Sequence, residues 1–151
     1  MITVVAGAIG WSIFTILVSQ GTSILLMWWL GLPPKRLAHE IEDRQNTAVG
    51  AVFFIVSLTV SFFISQFVTN GYTETESLLI GAAWIVGALL LGVLFMWGSF
   101  WVAHELLDPV DGETVVGYIK REIIDEQNAS LAFLLGGLAL VSFFSVLYQM
   151  I

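Results

Sequence analysis

Charge is what this sequence has least of. Charged residues make up 11% of the 151 positions, where an ordinary soluble domain carries roughly a quarter. Cysteine is absent, which excludes a disulfide framework, a zinc–thiolate site and a thiol nucleophile. Proline occurs only at Pro33, Pro34 and Pro109, so few places force a helix to stop. Basic residues number five, and the formal net charge is −7. That balance argues against nucleic-acid binding and against a polybasic lipid-binding face, both of which need clustered cations. No Lys or Arg precedes Lys35. The start therefore lacks the basic region of a signal peptide, and its apolar run is too long for a signal core. The N-terminal segment is expected to stay as a membrane helix.

What is present is apolar, at 58% of the chain. Four long runs free of charge near their centres cover residues 2–32, 46–68, 78–103 and 129–151. Each is long enough as a helix to cross a hydrocarbon core of about 30 Å. Trp28 and Trp29 end the first run and Trp97 and Trp101 end the third, where indoles favour the headgroup boundary. Pro33-Pro34 stops the first helix, and Asn70-Gly71 marks a turn, with Thr75 or Ser77 available to cap the third. Pro109 and Gly112 break the loop from His104 to Lys120. Gly7, Gly10 and Gly21 in the first run and Gly136-Gly137 in the fourth suit close helix crossings.

The basic residues Lys35, Arg36, Arg44, Lys120 and Arg121 all fall in the first and third loops. The positive-inside rule places those loops in the cytoplasm and both termini outside, which in a bacterial inner membrane is the periplasmic side.

One stretch occurs twice. His39-Glu40-Ile41-Glu42-Asp43-Arg44-Gln45-Asn46 returns as Arg121-Glu122-Ile123-Ile124-Asp125-Glu126-Gln127-Asn128, with five of eight positions identical. Val60-Ser61-Phe62-Phe63 returns as Val141-Ser142-Phe143-Phe144, one residue out of that register. Two matches at nearly one spacing predict a duplicated unit. The expected fold is all-α and integral to the membrane. Its four transmembrane helices form two parallel-oriented helix-hairpin repeats, residues 1–70 and 71–151, about an axis along the membrane normal. Each motif is read as a polar helical turn running straight into an apolar span.

The motif followed by a small-residue helix, doubled over four spans, resembles the YjfL-like family of bacterial inner-membrane proteins. The matching positions are Glu40, Asp43, Asn46 and Ala48, then Glu122, Asp125, Asn128 and Ala129. Family members often carry Gly before the Asn, where this chain has Gln45 and Gln127. The family is catalogued as a domain of unknown function. The resemblance implies an envelope-stress setting, near membrane-remodelling coat proteins and peptide-ligating enzymes, and no catalytic role.

Two roles compete for Glu40, Asp43, Gln45, Asn46, Glu122, Asp125, Gln127 and Asn128. Acids in a first helical turn meet the positive end of the helix dipole, and amides bond a neighbouring helix. Alternatively, repeated acids around a bundle form a vestibule that gathers cations. Against a pathway, no run has an ionisable residue near its middle. His39-Glu40 and His104-Glu105 offer imidazole and carboxylate donors for a divalent metal, but neither has the His-Glu-x-x-His spacing. Ser61, Ser65 and Ser142 have no His nearby in sequence, which removes support for nucleophilic catalysis.

The expected protein is a homo-oligomer in the lipid bilayer, not an enzyme, with no cofactor, no metal and no nucleic-acid partner. Its acidic face docks a soluble cytoplasmic protein in an envelope-stress system. The second reading is a cation channel or transporter with an acidic inner mouth.

Overall fold

The computed structural model describes residues 2–70, 78–107 and 109–150. The expected caps Thr75 and Ser77 lie outside those residues. The described residues form six α-helices and one π-helical turn. In order they are α1 (Ile2–Trp29), α2 (Pro34–Glu42), α3 (Thr47–Asn70), α4 (Leu78–Leu106), α5 (Val115–Lys120), the π turn Arg121–Asp125, and α6 (Ala129–Met150). Four of these, α1, α3, α4 and α6, are long and apolar enough to cross a membrane, so the chain is all-α and multi-pass.

The long helices pack as a row: α1 on α3, α3 on α6, α6 on α4. Trp29 and Trp97 add an edge-on contact between α1 and α4, with ring centres 5.4 Å apart. Two apolar clusters fill the interior. One, toward the short helices, gathers Met27, Leu32, Val49, Ile119, Ile123 and Leu131. The other gathers Phe63, Ala88, Met96, Phe143 and Leu147. Large apolar side chains such as Leu17, Leu25, Leu90 and Leu94 point outward from α1 and α4, as helices bathed in lipid require.

Close approach depends on two glycines. A Cβ on Gly136 would overlap Ile55 of α3, and one on Gly92 would come 2.7 Å from the Phe143 ring of α6. Membrane helices gain most of their attraction from such van der Waals contact. Gly137 has open space around it, and so do Gly10 and Gly21, which are not crossing points. The Ser142 hydroxyl donates to the Leu138 carbonyl at 2.8 Å, a bond within its own helix.

The two Val-Ser-Phe-Phe stretches meet face to face. Phe63 stacks edge-on against Phe143 at 5.6 Å and Phe62 against Phe144 at 5.0 Å. Exchanging 62 with 143 and 63 with 144 turns one contact into the other.

The motifs are not the first turns of the spans. The short helix α2 ends at Glu42 and α3 starts at Thr47; the π turn ends at Asp125 and α6 starts at Ala129. Between them Gln45 (φ 51°) and Gln127 (φ 55°) adopt left-handed backbone, which redirects the chain. The face shared by Glu40, Asp43 and Thr47 on an unbroken helix is therefore lost. The acids also close one helix instead of opening the next, so they do not meet the dipole of the span.

Candidate functional site

Both helix breaks are built the same way. The last turn widens: the Arg44 amide donates to the His39 carbonyl at 3.1 Å and the Glu126 amide to the Arg121 carbonyl at 2.9 Å, each five residues back. The Asn46 amide then reaches the Glu40 carbonyl and the Asn128 amide the Glu122 carbonyl, both at 2.8 Å. Each Asn caps the following helix. The Asn46 Oδ1 accepts from the Val49 amide and the Asn128 Oδ1 from the Leu131 amide, both at 3.1 Å. Each Nδ2 donates backward to its glutamate, Asn46 to Glu40 at 3.2 Å and Asn128 to Glu122 at 2.8 Å. Asparagine suits this place because its side chain carries both a donor and an acceptor.

The two breaks differ in what surrounds them. Glu40 and Asn46 are each only 2% exposed. Arg44 Nη1 holds both Glu40 carboxylate oxygens, at 3.0 and 3.1 Å, which offsets the cost of burying the charge. Asn46 Nδ2 also donates to the carbonyls of Ile123 and Ile124, at 3.1 and 3.2 Å, and so ties the first break to the second. In the second copy the Arg44 position is Glu126, and Glu122 is held instead by Arg121 Nη1 at 2.8 Å. Asp43, Gln45, Asp125 and Gln127 are exposed at the same end of the bundle.

Arg121 is the hub of a second cluster. Its guanidinium bonds both Glu113 oxygens at 3.1 Å and also bonds Glu122 and Glu126. Hydrogen bonding to Arg121 holds the Glu113 carboxyl below its ordinary value of 4.5, against the upward push of burial. The same bonds raise Arg121 further, so it stays charged. Tyr118 lies under Arg121, 5.5 Å from ring centre to guanidinium carbon. Burial first, and then the charge of Glu122, raises the Tyr118 phenol. Thr114 caps α5 by accepting from the Gly117 amide at 3.1 Å, which sets Tyr118 and Arg121 in place.

Beside Tyr118 stands His104, with ring centres 5.4 Å apart. It is 7% exposed, and among the described residues neither ring nitrogen has a hydrogen-bond partner. The Glu105 Oε1 oxygen lies 3.8 Å from Nδ1, beyond hydrogen-bond reach. An imidazole buried with both nitrogens unsatisfied is costly to fold and is the residue most in need of a functional account.

His39, Glu40, His104 and Glu105 do not come together as a metal site. His39 bonds Asp43 at 2.6 Å on an exposed surface, and Glu40 is already held by Arg44 and Asn46. Among the described residues no group of three or more His, Cys, Asp or Glu side chains is placed to hold a metal ion. The sequence reading missed Glu113, Tyr118 and Arg121. An eight-residue separation between Glu113 and Arg121 is no helical neighbour spacing, and the Thr114 cap was the only local clue.

No family model matches the chain, and no solved structure does. One curated relative is phospho-N-acetylmuramoyl-pentapeptide-transferase of Wolinella succinogenes, 28% identical over 144 residues. The match covers 88% of this chain, and the chain spans about 40% of that relative's length. This overturns the expectation of a non-enzymatic docking platform, and with it the alternative of a cation channel or transporter. The protein that nearly the whole chain resembles is a transferase, and a transferase is an enzyme.

Proposed function

We propose that this chain is a membrane-embedded transferase, or the part of one, that moves a phosphorylated group at the membrane boundary. The observation that carries this reading is the similarity to the Wolinella transferase along 88% of the chain. Transfer at phosphorus breaks the bond to the donor's leaving group and forms one to an acceptor oxygen, whose proton must pass to a base. His104 is the group we assign to that proton. Its burial beside Tyr118, with both ring nitrogens unpaired among the described residues, supports the role, since one imidazole nitrogen can accept a proton and the other donate one. Glu113, held ionised by Arg121, and Tyr118, held protonated, supply fixed polar neighbours.

The proposal places the end bearing Lys35, Arg36, Arg44, Lys120 and Arg121 in the cytoplasm, on the positive-inside rule. It also takes the fold as two related hairpins. The matched Glu–Asn clamps and the exchanged Phe62–Phe144 and Phe143–Phe63 contacts support that relation.

The test uses the full chain in liposomes that carry a lipid with a free hydroxyl or phosphate as acceptor, with a donor whose phospho-N-acetylmuramoyl-pentapeptide, labelled at phosphorus, is joined through that phosphorus to a phosphate leaving group. The expected result is protein-dependent loss of label from the donor. A folded protein that leaves every donor molecule intact, with that donor and with simpler phosphorylated sugars, contradicts the proposal.

A further inference from the structure

An apolar cleft runs between the long helices, lined by Leu26, Trp29, Val56, Phe100, Ile119 and Leu135 among others, with about 520 Å³ of unfilled space, part of it open to the outside. A smaller hollow, about 240 Å³ with its open part included, shares Leu30, Val52 and Ile119 with it and has Lys120 in its lining. Both linings are mostly apolar, and Lys120 is the cation among them.

A second cation stands beside the first. Arg36 Nη1 lies 3.5 Å from the Gly31 carbonyl oxygen, and Lys120 extends over the same glycine. A Cβ on Gly31 would come 2.9 Å from Lys120 Cε and 3.1 Å from Nζ, and its φ of 92° is left-handed. Glycine is needed there both for the turn and for the lysine to lie across it. Among the described residues neither Arg36 nor Lys120 forms an ion pair, whereas Arg44 and Arg121 are both engaged by carboxylates.

We infer that this cleft holds a membrane phospholipid, with an acyl chain between the helices and its phosphate between Arg36 and Lys120. Charge complementarity selects the occupant. An uncharged alkyl guest would leave the two cations beside Gly31 unused, and free phosphate would leave the apolar cleft empty. The inference does not conflict with the net charge of −7, because it needs two local cations and not a polybasic face. It is independent of the transfer reaction proposed above and uses none of the residues assigned to it.

The experiment is native mass spectrometry of the full protein after equilibration with vesicles of equal phosphatidylglycerol and phosphatidylethanolamine. The expected result is retained phospholipid enriched in phosphatidylglycerol. Enrichment should fall about fivefold for each charge removed in Arg36→Gln and Lys120→Gln, and return in Lys120→Arg. Val56→Trp, which fills the cleft and leaves both cations, should lose the retained lipid of either type. Circular dichroism and gel filtration confirm that each variant is folded, and a variant that unfolds is replaced by Val56→Phe, Arg36→Met or Lys120→Met. Lipid retention unchanged by both classes of variant overturns the inference. So does inorganic phosphate competing fully while cleft filling has no effect, which would mark a phosphate site without a lipid.

Discussion

The side-chain nitrogen of Asn46 donates to the main-chain carbonyl of Ile124 at 3.2 Å, across 78 positions of sequence. Asn128, in the matching place, caps its own helix and holds Glu122, but among the described residues it has no such bond across to α2. Two residues with one local geometry therefore carry different loads.

Asn46→Ala should destabilise the protein by about 2–4 kcal/mol. That sums a lost helix cap of about 1 kcal/mol with the exposure of buried acceptors on Glu40, Ile123 and Ile124. Asn128→Ala, which loses the cap and one half-buried bond, should lose about 1–2 kcal/mol. Denaturant titration in detergent micelles orders the two. Equal losses would mean that the cross-link to the second motif contributes nothing.

Gln45 and Gln127 occupy left-handed backbone that an L side chain enters at a cost of about 1–2 kcal/mol. Gln45→Gly and Gln127→Gly should therefore raise stability by up to about 1 kcal/mol each, after the entropy glycine loses on folding. Gln45→Val should lower it. The same titration reads all three.

Gly136→Ala should cost about 1–3 kcal/mol, because its new methyl overlaps Ile55 and separates α3 from α6. Gly137→Ala, facing open space, should be neutral or slightly stabilising. Ile55→Ala in the Gly136→Ala background should restore part of the loss, a rescue that thermal melts detect.

The Glu113 carboxyl is depressed in the fold by its bonds to Arg121. A lowered folded value stabilises the native state above the unfolded value near 4.5, and that contribution disappears as pH falls through the folded value. Glu113→Gln should therefore be less stable than the parent at pH 7, with the gap closing as pH drops below 4.5. A gap independent of pH would mean that the pair acts by packing and not by charge.

The membrane spans were legible because apolar length alone requires them, and the four runs match α1, α3, α4 and α6 to within a few residues at most ends. The breaks inside the motifs were not. Nothing in Arg44-Gln45-Asn46 forbids a continuing helix, since Gln is a good helix former and the left-handed turn is rewarded only by bonds that form once it is made, the Asn46 cap, its bond to Glu40 and the cross-links to Ile123 and Ile124. His104 was legible as a histidine near a helix end, but its burial was not. Burial depends on α5 folding back to lay Tyr118 against it.

The transfer reaction stands or falls with His104. Single-turnover assays of the parent, His104→Gln and His104→Phe in liposomes, with the labelled phospho-N-acetylmuramoyl-pentapeptide donor, measure it most directly. Transfer in the parent and a loss of about 100-fold or more in both variants is the expected result, in line with the usual contribution of a general base. Equal rates in all three folded proteins, or none in any of them, would contradict it.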